Sequence, residues 1–368
     1  MPTLIIAEAG VNHNGSEKLA FELVDAAVAA GVDIVKFQTF KADNLVTTQA
    51  KQADYQIKNL AASNTTNATE LSQTQHQMLS ELELSYQSHL AIKAYCDKLD
   101  IEYLSTAFDS ESLSFLLNTM GLTRLKIPSG EITNAPFVLE HARSGCDLIV
   151  STGMATMEEI ESALGVIAFG YLNLNNQQEP SIAKCQQAYQ SKLGQQLLKE
   201  KVTLLHCTTE YPAPLDEVNL NAMDTMREHF QLAIGYSDHT EGIVIPLVAT
   251  AKNACVIEKH FTLDKKMPGP DHKASIEPHE LAQMVQDIRK VECALGSVTK
   301  GPTVSELKNK VVARKSIVAK VDIAKGEQLT SDNLTIMRPG NGLSPLLYWQ
   351  VINGHAIKDF KAGDLIIL

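Results

Sequence analysis

One unit recurs between residues 4 and 297, and it constrains the fold more than any other feature of the chain. A short apolar run, rich in β-branched residues, ends in polar ones, and a segment with apolar residues at helical spacing follows. The runs are LIIAEAG (4–10), VDIVKFQTF (32–40), IEYLSTAF (101–108), LTRLKIPSG (122–130), CDLIVSTGM (146–154), KVTLLHCTTEYP (201–212), LAIGYSDHT (232–240) and CVIEKHFTLD (255–264). Between the first two, Leu19, Leu23, Ala26, Ala27 and Ala30 keep a 3.6-residue period. Thr156 to Glu159 (TMEE) reads as a capping box that opens the helix after the fifth run. Strands that alternate with helices form a parallel sheet. Eight such units predict an α/β fold, a closed (β/α)8 TIM barrel, whose usual size is roughly 250 residues. The alternative is an open doubly wound sheet, but no G-x-G-x-x-G or P-loop follows any strand.

After residue 297 the grammar changes. A polar stretch with Gly and Pro leads into short β-like pieces broken by KGE, PGNG and KAGD turns. The expected organisation is a barrel over residues 1–297, a linker over 298–312, and a small, mostly β domain over 313–368. Two segments interrupt the repeat. Residues 41–75 follow the end of a strand, where active-site lids sit, and are expected to cover substrate. Residues 171–200 read as a surface helix and loop.

Lys and Arg number 32 and Asp and Glu 43, a net charge of −11. With no local basic patch, such a chain does not coat nucleic acid or an anionic membrane. An anionic substrate must be held by a few cations inside a site. The start, MPTLIIAEAG, has no basic region before a long apolar one, and no stretch reaches the length of a membrane span. The six cysteines form no C-x-x-C pair and read as reduced thiols of a cytoplasmic protein.

In an eight-fold barrel the strand carboxy-terminal ends line one mouth, where active sites are built. Here they supply Glu8, Lys36, Gln38, Ser105, Thr106, Lys126, Ser129, Glu131, Ser151 and Thr152 from the first five runs. The last three supply His206, Thr208 and Thr209, then Ser237 to His239, then Glu258 to His260. Polar groups on buried strands are costly unless they pair with one another or with a ligand. Eight polar ends together therefore point to a site. His239 and His260 end neighbouring strands and could share one metal ion, since neutral imidazole suits transition metals. They could equally be two hydrogen-bonded histidines of the barrel mouth, and His206 is a third candidate ligand. Lys36 and Lys126 need carboxylate partners, with Glu8 and Glu131 at hand, or an anion. The hydroxyls of Ser129, Ser151 and Ser237 tilt this towards a phosphate or carboxylate cradle.

With these residues assembled, the chain resembles the sialic acid (nonulosonic acid) synthase family over nearly its whole length. The stretches that carry the resemblance are IAEAGVNHNG (6–15), VKFQTF (35–40), STAFD (105–109), KIPSGEITN (126–134), STGM (151–154), LLHCTTEYPAP (204–214), GYSDHT (235–240), EKHFTLD (258–264), PGPDHKAS (268–275) and RPGNG (338–342). The tail is similar to the antifreeze-like (SAF) domain that members carry after the barrel. The resemblance implies condensation of phosphoenolpyruvate with an N-acylated mannosamine-type sugar, giving a nine-carbon 2-keto acid and phosphate. It implies His239 and His260 as ligands of a divalent metal, commonly manganese, with magnesium or cobalt as alternatives, and His206 as a supporting residue. It puts Lys126, Ser129, Ser151 and Ser237 on the phosphate, Lys36 and Thr106 near the carboxylate, and Glu8, Gln38, Tyr211 and Asp271 on the sugar. Glu131 is implied in proton transfer, so that Glu8, Lys36 and Glu131 form the catalytic group. Arg338 is implied to reach the sugar's acyl group across a domain-swapped homodimer.

Two departures bear on substrate choice. Members making N-acetylneuraminate often read VKHQTH and CTN-x-YP, where this chain has VKFQTF and CTTEYP, so Phe37 and Thr209 replace polar His and Asn. The Asn position also approaches phosphate. The pattern is closer to members that make legionaminic acid from a 6-deoxy di-N-acetylated sugar. N-acetylneuraminate synthesis from N-acetylmannosamine, and a metal-dependent aldolase on the same barrel, are the alternatives. Ice binding is disfavoured, because the tail offers only Thr330 and Thr335 where a regular threonine array is needed.

Overall fold

Eight parallel strands close on themselves in the computed structural model, which describes residues 2–51, 74–174 and 178–368. They are β1 (Leu4–Gly10), β2 (Ile34–Thr39), β3 (Glu102–Ala107), β4 (Arg124–Ile127), β5 (Asp147–Ser151), β6 (Val202–His206), β7 (Ala233–Asp238) and β8 (Val256–His260). Their order round the barrel follows the chain, and β8 returns to β1 with Leu4 opposite Val256 and Glu8 opposite His260. Each of the eight apolar runs holds one of these strands.

Side chains alternate across the barrel wall, as the two-residue period of a strand requires. Ile6, Ile34, Leu104, Ile149, Leu205 and Val256 form a small buried cluster of their own inside the barrel. Ile5, Val35, Tyr103, Leu148, Leu204, Ile234 and Ile257 face outward and join the main core beneath the helices. Two residues beyond the inner apolar layer, the same faces carry Glu8, Lys36, Thr106, Ser151, Cys207 and Glu258. The polar floor of the mouth is thus one strand period above an apolar plug.

Gly235 occupies the β7 position in that plug. A Cβ there would lie 2.6 Å from the Val256 carbonyl oxygen and 2.6 Å from Leu205 Cδ2. The missing side chain lets Leu205 and Val256 fill the space, a common reason for glycine within a strand.

The helices begin as the sequence signals say. Ser16 caps Glu17–Ala30, which buries Ala20, Leu23, Val24, Ala27 and Ala30 and stops at Gly31 with φ 76°. Thr156 and Glu159 form the expected capping box of Met157–Leu172. The 171–200 segment, expected as a surface helix and loop, holds two helices, Ile182–Gln190 and Lys192–Lys201, and reaches the core through Cys185, Ala188 and Leu198. Of residues 41–75, the middle lies outside the described residues. On its two sides are a short helix, Ala42–Leu45, and the capped helix Gln75–Leu82.

The chain divides into two compact units, residues 1–296 and 297–368. In the second, a helix, Val304–Ala313, occupies most of the stretch that reads as a linker. It precedes two antiparallel strands, β9 (Ser316–Ala319) and β10 (Leu334–Met337). Ile317, Ile323, Leu329, Val351, Phe360 and Ile366 are among the residues of that unit's own core. All six cysteines are free, and among the described residues no helix is long and apolar enough to cross a membrane.

Gly235→Ala is expected to destabilise the barrel unit by about 1–3 kcal/mol in urea unfolding, because backbone and core must move to admit one methyl. Gly130→Ala is the control. No atom lies within 4 Å of its added Cβ, and a change under roughly 0.5 kcal/mol is expected there.

Candidate active site

Two lysines and two glutamates from four strands meet at the barrel mouth, each 2–3% exposed. Lys36 on β2 lies 2.6 Å from Glu8 Oε2 on β1 and 3.5 Å from Glu258 Oε2 on β8. Across the barrel, Lys126 on β4 donates to both Glu258 oxygens, at 2.9 and 3.1 Å. Ser237 adds a hydrogen bond to Glu258 Oε1 at 2.8 Å, and Lys36 donates to Thr106 Oγ1 at 3.1 Å. Glu258 therefore ties both lysines together. The sequence places Glu258 among the polar strand ends of the mouth but assigns it no role. The signal was present, since Glu258 lies two residues before His260 and so shares its inward face. Glu131 is not the lysine partner that the sequence offered. It sits half-buried on a turn after β4 and accepts from Asn134 Nδ2 at 2.7 Å.

Burial and pairing push the two carboxyls apart. Burial alone would raise Glu258, but the ammonium groups of Lys126 and Lys36 outweigh it and hold it well below the usual carboxylate range. For Glu8 burial prevails over the pull of Lys36, the negative charge of Glu258 adds to it, and the carboxyl is raised to about 7. Burial also lowers Lys126, against the attraction of Glu258.

Beside Lys126 lies a group of hydroxyls. Ser129 Oγ accepts from the Gly153 backbone N–H at 3.0 Å and sits 3.2 Å from Cys207 Sγ. A Cβ on Gly153 would come within 2.2 Å of Thr209 Oγ1 and 2.9 Å of Ser129 Oγ, so glycine is what lets these groups converge. Ser151 Oγ and Thr209 Oγ1 are buried and have no hydrogen-bond partner among the described residues. An unsatisfied buried hydroxyl costs about 1–3 kcal/mol. Two of them next to a buried ammonium form a cradle matched to an anion's oxygens.

The imidazoles of His239 and His260 lie side by side, centroids 5.7 Å apart and planes tilted by 61°. Tyr211 packs against both, at 4.1 and 5.6 Å. His239 Nδ1–H donates to the Thr208 carbonyl at 2.6 Å, so Nε2 carries the lone pair; it lies 3.4 Å from Ser237 Oγ, whose hydrogen goes to Glu258. His260 Nδ1 is buried and has no hydrogen-bond partner among the described residues. Burial lowers both, His239 to about 4 and His260, with help from its neighbour, well below the ordinary imidazole value, so both rings are neutral. An orphaned nitrogen and a tautomer fixed from behind fit the donor set of a divalent transition metal. His206 is otherwise engaged, its Nε2 lying 2.8 Å from the Val218 carbonyl oxygen.

The two lysines and two glutamates, Ser129, Ser151, Thr209 and Ser237, and His239, His260 and Tyr211 line one cavity of about 350 Å³, together with Gln38, Glu131 and Asp271. Gln38 Nε2 reaches Glu8 Oε1 at 3.4 Å, and burial raises the Asp271 carboxyl to about 6. Every barrel residue that the resemblance places on substrate or metal borders this cavity, whereas His206, Ser105, Thr152, Thr208, Asp238 and Lys259, also at strand ends, do not. Arg338 belongs to the second unit, where it is exposed and its Nε donates to the Ala313 carbonyl at 3.1 Å. Phe37 is a correction. It is fully buried on the outward face of β2, stacked on Tyr103 with centroids 5.7 Å apart, and does not touch the cavity. The other phenylalanine of VKFQTF, Phe40, does line it, next to Val11, Met78, Leu82 and Phe108.

A closed α/β barrel with buried lysines, orphaned hydroxyls and two adjacent imidazoles at its carboxy-terminal mouth is a catalytic barrel. Residues 23–300 match the NeuB family and residues 314–366 match the SAF domain. The chain belongs to the NeuB family. It is 47% identical to the N,N'-diacetyllegionaminic acid synthase of Campylobacter jejuni, over 99% of this chain and 98% of that one. It is 43% identical to the protein of the same name from Legionella pneumophila, over 100% of this chain and 94% of that one. The crystal structure of N-acetylneuraminic acid (sialic acid) synthetase from Leptospira borgpetersenii, in complex with citrate, superposes with a TM-score of 0.65 at 30% identity, covering 84% of this chain and 90% of that one.

An anion entering the cradle disfavours a charged Glu8, so its pKa rises above 7 and a proton is taken from solvent. Adding sulfate, which does not titrate near neutrality, to weakly buffered protein at pH 7 is expected to raise the pH. Glu8→Gln is expected to abolish that rise, read with an indicator dye.

Proposed function

We propose that the protein condenses phosphoenolpyruvate with an N-acylated mannosamine-type sugar and water, releasing phosphate and a nine-carbon 2-keto sugar acid. The favoured sugar is a 2,4-diacetamido-2,4,6-trideoxymannose, which makes the chain a diacetyllegionaminate synthase. The observation that carries this reading is the pairing, in one cavity, of a lysine-and-hydroxyl cradle with two neutral, adjacent imidazoles. The two relatives at 47% and 43% identity, both of that name, supply the sugar.

In this reading the phosphate lies against Lys126, Ser129, Ser151, Ser237 and Thr209, whose hydroxyls and ammonium match its oxygens. Lys36 and Thr106 hold the carboxylate. Glu8, Gln38, Tyr211 and Asp271 orient the sugar so that its aldehyde carbon faces the enol carbon of phosphoenolpyruvate. That carbon attacks the aldehyde, and the aldehyde oxygen gains a proton to become a hydroxyl. The positive charge left on carbon 2 is stabilised by Glu131 and Glu258. Water adds there and loses one proton to leave a hydroxyl, and that hydroxyl gives up its own proton as the carbon–oxygen bond to phosphate breaks, so that hydrogen phosphate departs and the keto group remains. Glu8, raised to about 7, is placed to hold or release one of these protons near neutrality. His239 and His260 would hold a divalent cation, manganese by preference, which polarises the aldehyde when bound. Arg338 of the partner subunit, in a domain-swapped homodimer, reaches the sugar's acyl group. The aldolase alternative cleaves rather than condenses and releases no phosphate.

Phosphate release with phosphoenolpyruvate and manganese across a panel of acylated amino-hexoses tests the proposal. Turnover is expected only with phosphoenolpyruvate present, with kcat/KM higher for the diacetamido sugar than for N-acetylmannosamine. The reverse order would move the chain to N-acetylneuraminate synthesis, and no release with any sugar would sink the synthase reading. His239→Ala is expected to abolish manganese-dependent turnover in a protein that still folds. Arg338→Ala is expected to raise the sugar KM far more than that of phosphoenolpyruvate.

A further inference from the structure

The structure points to a device that sets the spacing of the two histidines. We propose that the buried Asp238–Lys259 ion pair acts as a positioning element for His239 and His260, fixing the separation on which cation binding depends. The inference rests on the metal reading of those two rings.

Strands β7 and β8 are tied by side chains on both faces at adjacent rungs. Ser237 stands opposite Glu258, and Asp238 opposite Lys259. On the inner face Ser237 Oγ donates to Glu258 Oε1 at 2.8 Å. On the outer face Lys259 Nζ meets Asp238 Oδ2 at 2.5 Å, and neither side chain has exposed surface. The same ammonium donates to the Thr240 carbonyl. One cation thus grips the residues on either side of His239, and it belongs to the residue that precedes His260. Thr240 completes the clasp, its hydroxyl and backbone N–H donating to Asp238 Oδ1 at 2.9 and 3.1 Å.

The next rung carries the histidines, and there the strands part. The paired register ends at Asp238 and Lys259. The His239 carbonyl accepts from the Ala213 N–H at 2.8 Å, and the His260 carbonyl from the Ile276 N–H at 3.0 Å. Each backbone is bonded elsewhere, so the last tie between the two strands is the ion pair one residue below the rings. Stability alone gives no reason for charges at this place. Neighbouring outward positions on the same strands hold Tyr236 and Ile257, both fully buried. Replacing a buried ion pair with apolar residues of similar volume is often neutral or stabilising. What an apolar pair lacks is direction. The ammonium must point at Asp238 and Thr240 together, and this sets how far β8 stands from the turn after β7.

The test compares manganese binding in the wild type, Asp238→Leu/Lys259→Met, Thr240→Val and His260→Ala, by calorimetry and by the paramagnetic resonance spectrum of the bound ion. The double variant is expected to fold and to bind manganese about tenfold or more weakly, the range typical of lost outer-shell support. Its spectrum should broaden as the rings lose a fixed separation. Thr240→Val, which removes one tie, is expected to weaken binding less. A folded double variant with wild-type affinity and spectrum overturns the inference. Should the double variant not fold, unchanged affinity and spectrum in Thr240→Val overturn it equally. Undiminished binding by His260→Ala sinks the metal reading itself, an outcome distinct from either of these.

Discussion

Glu258 is the interaction on which the mouth of the barrel depends. Its carboxylate holds Lys126 from across the barrel, stands 3.5 Å from Lys36, and takes the Ser237 hydroxyl. Two ammonium groups this close repel each other strongly at low dielectric, and one carboxylate between them makes their joint burial tolerable. Without it, Lys126 would lose its carboxylate partner and Lys36 would keep Glu8 alone. The paired lysines are the local cations that a chain of net charge −11 needs in order to admit an anion.

The same grouping keeps the two glutamates in different roles. Both are buried, yet Glu258 sits between two cations and stays ionised, while Glu8 has one close lysine and another carboxylate nearby, and titrates near neutrality. Environments that push like groups apart in this way separate a fixed charge from a group able to carry a proton. The histidines obey a third rule. Burial keeps them neutral, and the hydrogen bond to Thr208 decides which nitrogen of His239 offers its lone pair.

Much of this was legible in the sequence, because strand alternation is a local rule. The eight apolar runs end in polar residues at the barrel mouth, and two histidines at the ends of consecutive runs had to become neighbours. What escaped was whatever depends on partners across the barrel. Lys126 and Glu258 lie 132 residues apart, and no spacing announces their bond. Glu131, far nearer in sequence, was the natural guess for Lys126 and proved to bond Asn134 instead. Phe37 was misjudged for a simpler reason. It is one residue out of phase with Lys36 and Gln38, so the alternation that put them in the cavity turns it towards Tyr103. In residues 171–200 the few apolar positions are scattered among polar ones, so nothing in the sequence announces that Cys185, Ala188 and Leu198 reach the core.

Val11, Phe40, Met78 and Leu82 pack as a hydrophobic cluster separate from both the inner plug and the main core, with Leu45, Leu79 and Phe108 against it. They roof the charged floor, yet they share no side-chain packing with the strands' interior layer. A substitution in the roof is therefore absorbed locally, whereas one in the floor disturbs a charge network spanning the whole barrel. The outline of the cavity's apolar wall can thus be recut at little mechanical cost to the charge network beneath it.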